Sequence, residues 1–329
     1  MKKKVDIKTS YTAADTIPLK VLLDKELVNY AKTHKKLLPI HIQILPTNKC
    51  NMSCSFCSCS ERIKELEIDF ETAKRIIDKC KNLGTKSVTI TGGGEPLLYS
   101  YFDELVDYFA QKNIKIGLVT NGYFLYKANK ISIGKITWCR ISNGDDRNFD
   151  ESYRNRLKDV VVNTPNVDWA FSHVVSISPN YEEIARIAEF ANEFNFTHVR
   201  LVADLYQPDK VNMDLIKDYL KEKCIDDNKV IYQGRKIYTR GGDCYIGYLK
   251  PLIGPDAKVY ACCGVQYALE IPTRDLPGEL CLGDAINIDK IIENSNLPLN
   301  GAICTKCYYM NYNIILKGML KEVVHEEFV

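Results

Sequence analysis

Cys50, Cys54 and Cys57 stand in the run CNMSCSFC, a C-x3-C-x2-C spacing that follows the strand-like stretch IHIQIL. Three thiolates on one short loop can hold three irons of a [4Fe–4S] cluster and leave the fourth iron open to a non-protein ligand. An open iron is a place for chemistry. Structural zinc is the competing reading, but zinc patterns usually close four positions with paired C-x2-C or C/H sets, and this loop offers no fourth ligand at such a spacing. A disulfide framework fits poorly. The chain has 329 residues and an odd count of 13 cysteines, and it begins MKKKVDIKTS without an apolar signal segment.

Downstream, the strand-like KSVTIT runs straight into Gly92, Gly93, Gly94, Glu95 and Pro96. Successive glycines let the backbone approach a ligand closely. A glycine-rich turn alone carries little weight. One strand and one helix after the cysteine loop, it carries more.

The cysteine loop resembles the CxxxCxxC signature of the radical S-adenosylmethionine (SAM) enzymes, and Phe56 matches the aromatic residue common before the last cysteine. Gly93-Gly94-Glu95-Pro96 resembles the GGEP motif of the same family. The resemblance implies that Cys50, Cys54 and Cys57 hold the cluster and that SAM chelates the open iron through its amino and carboxylate groups. Reductive cleavage of SAM then gives a 5′-deoxyadenosyl radical. Gly93, Gly94, Glu95 and Pro96 are expected to contact the amino group of SAM. RISNGDD leaves the fourth strand where the family often places a polar contact to the ribose, making Ser142 and Asn143 the candidates, with a plain turn as the alternative.

Elements that could position these residues alternate along the chain. Strands are expected at 40–45, 86–91, 114–120, 135–142, 167–176 and 197–203, each rich in β-branched residues and apolar enough to be covered on both faces. Asp69 can cap a helix in which Phe70, Ala73, Ile76, Ile77, Cys80 and Leu83 recur at helical spacing and Gly84 supplies the stop. Asn180 with Glu183 reads as a capping box. Six β/α units imply an α/β fold with a parallel sheet, which the family resemblance sharpens to a partial (β/α)6 barrel with its ligands at the C-terminal strand ends. His173, Arg200 and Asp204 are further candidates to face the barrel interior. A buried Arg200 is either paired within the protein or aimed at a carboxylate of SAM or substrate.

The pattern changes after residue 205. The expected organisation is an N-terminal extension at 1–37, the barrel at 38–205, a helical linker at 206–239 and a small cysteine-rich domain at 240–329. The last of these holds Cys244, Cys262, Cys263, Cys281, Cys304 and Cys307, and its Gly-Pro-Asp turn between β-rich runs reads as a hairpin. The tail resembles the twitch or SPASM domain that follows the barrel in one branch of the family. That resemblance implies one auxiliary [4Fe–4S] cluster on Cys244, Cys262, Cys304 and Cys307, with a four-cysteine zinc site as the alternative. Ala257 stands where the family often has glycine. Cys263 could replace Cys262 as ligand, since adjacent cysteines on a strand point to opposite faces. Cys281 could be a buried apolar residue, a ligand or a hydrogen-atom donor to a substrate radical. Cys59 and Cys139 share that ambiguity, whereas Cys80 and Cys224 are expected to pack.

A formal net charge of +2 gives no basic field to support nucleic acid as partner. No apolar run reaches the roughly 20 residues needed to span a bilayer, and reduced thiols with an oxygen-sensitive cluster point to the cytoplasm. The resemblance implies hydrogen abstraction from an unactivated C–H bond, with an external electron donor such as flavodoxin or ferredoxin. A peptide substrate is favoured because most enzymes with this tail modify peptides. A dehydrogenase or epimerase of a sugar or aminocyclitol is the second reading, since the stretch before the barrel is short for a leader-peptide-binding domain. A non-catalytic iron–sulfur or zinc sensor is the third, and the Gly93–Pro96 match argues against it.

Overall fold

The computed structural model describes residues 19–234, 239–269, 274–322 and 324. Seven parallel strands follow one another in spatial order: β1 (His41–Ile44), β2 (Ser87–Ile90), β3 (Lys115–Thr120), β4 (Trp138–Gly144), β5 (Asp168–Val175), β6 (His198–Ala203) and β7 (Val230–Gly234). Helices connect them: α2 (Phe70–Asn82) after β1, α3 (Phe102–Gln111) after β2, α4 (Glu151–Asn163) after β4, α5 (Tyr181–Glu193) after β5 and α6 (Met213–Glu222) after β6. A further helix, α1 (Lys25–His34), precedes β1. Strands in unbroken order with helices between them form a singly wound, curved sheet, the architecture of a partial β/α barrel.

Local chemistry fixes these elements where the sequence expects them. The Asp69 side chain accepts from Thr72 N at 2.9 Å, and Gly84 closes the helix region at φ +90°. Ala73, Ile76, Ile77 and Cys80 of α2 are fully buried against the sheet, each large apolar side chain contributing about 1.5–3 kcal/mol. Asn180 caps α5 by accepting from Glu183 N at 3.1 Å, but the return half of the capping box is missing. Instead Glu183 accepts from Phe149 N and from Arg186, which ties the β4–α4 loop to α5. Between β5 and α5 sits an aromatic group in which Phe171 stacks on Phe196 at 4.7 Å and meets Phe190 edge-on.

Two features depart from the expected organisation. The stretch after α6 contains β7, hidden in sequence because Val230, Ile231 and Tyr232 form only a short apolar run among polar residues. The tail also continues the barrel sheet rather than standing apart. The expected hairpin forms from β9 (Leu252–Ile253) and β10 (Lys258–Tyr260), β9 pairs parallel with β1, and β11 (Cys281–Asp284) adds antiparallel to β10. Ile288 and Ile292 of α7 (Ile288–Glu293), and Tyr312 and Leu316 of α8 (Met310–Met319), share one apolar core with the barrel. Lys79 of α2 pairs with Asp289 of α7 at 2.9 Å, while a separate small sheet joins β8 (Asp243–Cys244) to β12 (Leu299–Asn300).

Candidate active site at the C-terminal strand ends

Cys50, Cys54 and Cys57 lie on the loop that leaves β1, all three half-buried, with a turn closed by Cys57 N donating to Cys54 O at 3.1 Å. Two guanidiniums face the sulfurs. Arg147, from the loop after β4, donates to Cys54 Sγ from Nη2 at 3.0 Å and from Nε at 3.4 Å, and Arg62 Nη1 stands 3.7 Å from Cys57 Sγ. Burial raises the Cys54 thiol above its ordinary value and the Arg147 charge works against that shift. Asp146 accepts from Ser55 N at 2.9 Å, so the β4 loop grips the cysteine loop at two successive residues. Phe56 fills the space left by Gly144, where a Cβ would stand 2.2 Å from its ring.

The glycine loop after β2 is sewn to the residues that lead into the cysteines. Gly94 N donates to Thr47 O at 3.1 Å and Glu95 N to Lys49 O at 2.7 Å. A Cβ on Gly93 would stand 2.0 Å from Asn48 Oδ1, and one on Gly94 2.1 Å from Lys49 O. The close approach that these glycines permit is therefore to the protein's own chain. Glu95 is buried, and its carboxylate accepts from Thr120 Oγ1 at 2.5 Å, Asn121 N at 2.7 Å and Leu97 N at 3.1 Å. Desolvation raises its pKa and the three donors oppose that rise. Its side chain braces the ends of β2 and β3, and Pro96 opens the one-turn helix that follows.

The remaining candidates divide by strand face. Ser142 lies on the face of β4 shared with Gly144, toward the cysteine loop. Asn143 is buried on the other face, in register with His173, and its Nδ2 has no partner. His173 does not reach the barrel interior. It is fully buried on the helix side, the face on which Phe171 of the same strand packs against α5, and it bonds Asp145 Oδ1 at 2.8 Å. Asp145 also accepts from Ser176 N and Asn180 N, which makes the pair a brace of the β4 loop. Arg200 faces inward and donates to Ser172 Oγ at 3.0 Å. Asp204 accepts from Tyr206 N at 2.9 Å, and Tyr206 in turn donates to Cys57 O at 3.3 Å.

In the tail, Cys244, Cys262, Cys304 and Cys307 are close enough to perturb one another. Burial pushes Cys244 up to about 12 and Cys304 to about 11, and neighbouring sulfurs add to the rise. A bound metal's charge would offset that rise, since a coordinating thiol is deprotonated by the metal. Gly241 and Gly301 allow the approach: a Cβ on Gly241 would stand 2.8 Å from Cys304 Cβ, and one on Gly301 3.4 Å from Cys244 Cβ. Cys263 points away from this group, its Sγ 3.3 Å from Tyr309 Oη. Cys281 packs beside an apolar group containing Leu45, Leu252 and Tyr260. Cys59 is pushed up to about 12 by burial, and Cys139 and Cys80 are fully buried. Cys224, expected to pack, is exposed beyond the end of α6.

Both sets fit iron–sulfur clusters by chemistry. Among the described residues no three His, Cys, Asp or Glu side chains converge on the position of a single ion, and a cubane cluster instead takes each thiolate on its own iron. Arg147 and Arg62 supply positive charge to the first set. Arg147, Arg62 and Tyr206 have no sequence signal of their own, since their contacts arise only when the strand ends are brought together. No described helix is long and apolar enough to cross a membrane.

Comparison with known proteins agrees with this geometry. Residues 44–132 match the sequence model of the Radical SAM superfamily. An uncharacterized protein of Methanocaldococcus jannaschii is 34% identical over 86 residues, a match spanning 25% of this chain and 30% of that protein. GTP 3′,8-cyclase of Helicobacter pylori is 24% identical over 271 residues, covering 70% of this chain and 82% of that enzyme. Among solved structures, Streptococcus suis SuiB bound to S-adenosylmethionine superposes with a TM-score of 0.58 at 18% identity, over 88% of this chain and 73% of SuiB. SuiB has also been solved bound to the precursor peptide SuiA.

Proposed function

We propose that this chain, a member of the radical SAM superfamily, is a peptide-modifying enzyme. Cys50, Cys54 and Cys57 would hold a [4Fe–4S] cluster with SAM, and Cys244, Cys262, Cys304 and Cys307 a second cluster. When bound, the first cluster and SAM supply a 5′-deoxyadenosyl radical able to take hydrogen from an unactivated C–H bond. The observation that carries the reading is the junction of two loops at the C-terminal strand ends, where main-chain bonds tie the glycine loop to Thr47 and Lys49, the residues that lead into the three thiols.

Each residue of the junction has a definable part. Arg147 and Arg62 offset the negative charge that three thiolates gather. Glu95 fixes the glycine loop, so that its free main-chain groups keep one direction. Ser142, Ser172 and Arg200 present polar groups inward on adjacent strands, suited to orienting a polar ligand. Gln266 donates to Gly92 O at 3.3 Å, which brings the tail to the rim of the same site and helps to exclude water. A peptide is favoured as substrate because SuiB, which shares the fold, is known in complex with one.

The test is anaerobic reconstitution followed by iron analysis and SAM cleavage. About eight irons per chain are expected from two clusters, with 5′-deoxyadenosine released on reduction. Replacing Cys50, Cys54 and Cys57 together by alanine should abolish that release. Release that persists in the triple variant would remove the active cluster from this loop, and zinc in the tail would remove the second.

A further inference from the structure

A cavity of about 490 Å³ lies at the opposite end of the barrel from the cysteine loop, bounded by the N-terminal halves of β1 to β6 and by Lys20, Val21, Ile246, Leu249 and Lys250. Its volume falls in the range that holds small organic ligands. Nothing in the chemistry of the cysteine loop requires it.

Trp138 and Arg140 define its upper wall. Gly117, opposite Trp138 in the β3–β4 register, leaves the room in which the indole lies, since a Cβ there would stand 2.2 Å from the ring. Arg140, two residues on and on the same face of β4, has its guanidinium carbon 5.6 Å from the indole centroid. The Arg140 Nε is buried and has no hydrogen-bond partner. The neighbouring position on β5 is Ala170, whose small side chain leaves the space in front of the guanidinium open.

Charge around this space is one-sided. Lys115, Lys250 and Lys20 join Arg140 in the lining, whereas the lining contains a single acid, Asp168, which is exposed. Lys86 is also there but already pairs with Asp24 at 2.7 Å. The two imidazoles of the wall add no negative charge, and His41 is occupied by Ser87 Oγ at 2.7 Å and Thr89 Oγ1 at 3.1 Å. Beside the guanidinium the lining also holds apolar residues, among them Ile246 and Leu249. A half-buried guanidinium over an aromatic face is a seat for a planar anion, since the fork of N–H donors matches a carboxylate.

We propose that this cavity binds a small carboxylate whose body is aromatic or branched aliphatic, with the carboxylate on Arg140 and the body against Trp138 and the apolar lining. The site is separate from the SAM-binding end, and it takes an anion that an open apolar pocket would reject. Lys115 and Lys250 strengthen the field around the cavity without touching the carboxylate, so they act on affinity more weakly than Arg140.

Isothermal titration of the full chain with benzoate, benzyl alcohol and inorganic phosphate tests this directly. Benzoate should bind saturably, benzyl alcohol at least tenfold more weakly, and phosphate without the heat of a specific site. Arg140→Met should weaken benzoate binding at least tenfold and Arg140→Lys by less, provided both variants melt within a few degrees of the parent. The chain has two tryptophans, so Trp169→Phe leaves Trp138 as the reporter, and its fluorescence should change with the same dissociation constant. Equal affinity for benzyl alcohol and benzoate, unchanged binding in Arg140→Met, phosphate competing as well as benzoate, or no benzoate heat at all would each overturn the proposal. Iron content and SAM cleavage are read separately, so failure here leaves the cysteine-loop reading intact.

Discussion

Arg147 Nη2 donates to Cys54 Sγ at 3.0 Å across 93 positions of sequence. The contact links the end of the fourth strand to the loop after the first, and Phe56 under the guanidinium at 5.4 Å holds it in place. Charge-assisted donors to sulfur stabilise the thiolate and raise a cluster's reduction potential. Arg147→Met should therefore lower the potential of the first cluster and reduce iron retention, with Arg147→Lys intermediate. A hydrogen bond to a charged group contributes about 1.5–3 kcal/mol, and the partial exposure of this pair places it toward the lower end. Redox titration followed by electron paramagnetic resonance, with iron analysis, reads both effects. Unchanged values in Arg147→Met would make the contact incidental.

Glu95 and Gly94 separate bracing from docking. Glu95→Gln keeps the shape but turns one acceptor into a donor facing the Thr120 hydroxyl or the Asn121 amide, which should cost about 1–3 kcal/mol of stability. Gly94→Val forces a Cβ to within 2.1 Å of Lys49 O and so pushes on the chain one residue before Cys50. That variant should lose iron as well as SAM affinity, whereas Glu95→Gln should lose stability first. Melting temperature, iron content and SAM binding by equilibrium dialysis distinguish the two. Full iron loading in Gly94→Val would show that the junction yields without disturbing the cysteines.

Much of this site is legible in sequence because its parts are local. The thiol spacing, the Asp69 cap and six parallel strands each depend on a few neighbouring residues, and the structure places those elements within a few residues of expectation. What depends on assembly is not legible. His173 and Arg200 look alike as polar residues in apolar strands, yet β5 and β6 turn one to the helices and the other to the interior. Cys262 and Cys263 are equivalent by spacing and are told apart only once Tyr309 and Cys304 are in place. The tail's continuity with β1 is hidden for the same reason, since a parallel pairing across 209 positions, Gln43 with Leu252, leaves no periodic signal in either partner.

Ala257 explains a departure from the family pattern and gives a stability prediction. Its φ is +56°, in the left-handed region where a Cβ costs roughly 1–2 kcal/mol, and the turn is fixed by Ala257 N donating to Gly254 O at 3.1 Å. Glycine removes the strain but loses about 0.5–1 kcal/mol of unfolded-state entropy. Ala257→Gly should thus stabilise the protein by about 0.5–1 kcal/mol. Ala73→Gly, four residues into α2, should instead destabilise it by about 1 kcal/mol. Paired anaerobic melts check the contrast, and a lower melting temperature for Ala257→Gly would sink the strain argument.

The surplus tail cysteines can be assigned by two measurements. Cys262 neighbours Cys244 and Cys304, so Cys262→Ala should reduce iron to about four per chain, whereas Cys263→Ala should leave it near that of the parent. If the reaction is an epimerisation, a thiol must return a hydrogen atom to the substrate radical. Sequence alone favours Cys281 as that donor. We assign the role instead to Cys263, since the turn Cys263–Gln266 reaches the glycine loop through Gln266 and Gly92, while Cys281 packs beside an apolar group with Leu45. Tyr309 Oη, 3.3 Å from Cys263 Sγ, is placed to exchange a proton with the thiol. In heavy water with the accepted substrate, the parent should then gain one deuterium per turnover. Cys263→Ala should stall with its iron intact, and Cys281→Ala should turn over normally. Deuterium uptake that survives in Cys263→Ala and disappears in Cys281→Ala would return the role to Cys281. No deuterium in any of the three proteins would make oxidation or bond formation the outcome of the reaction.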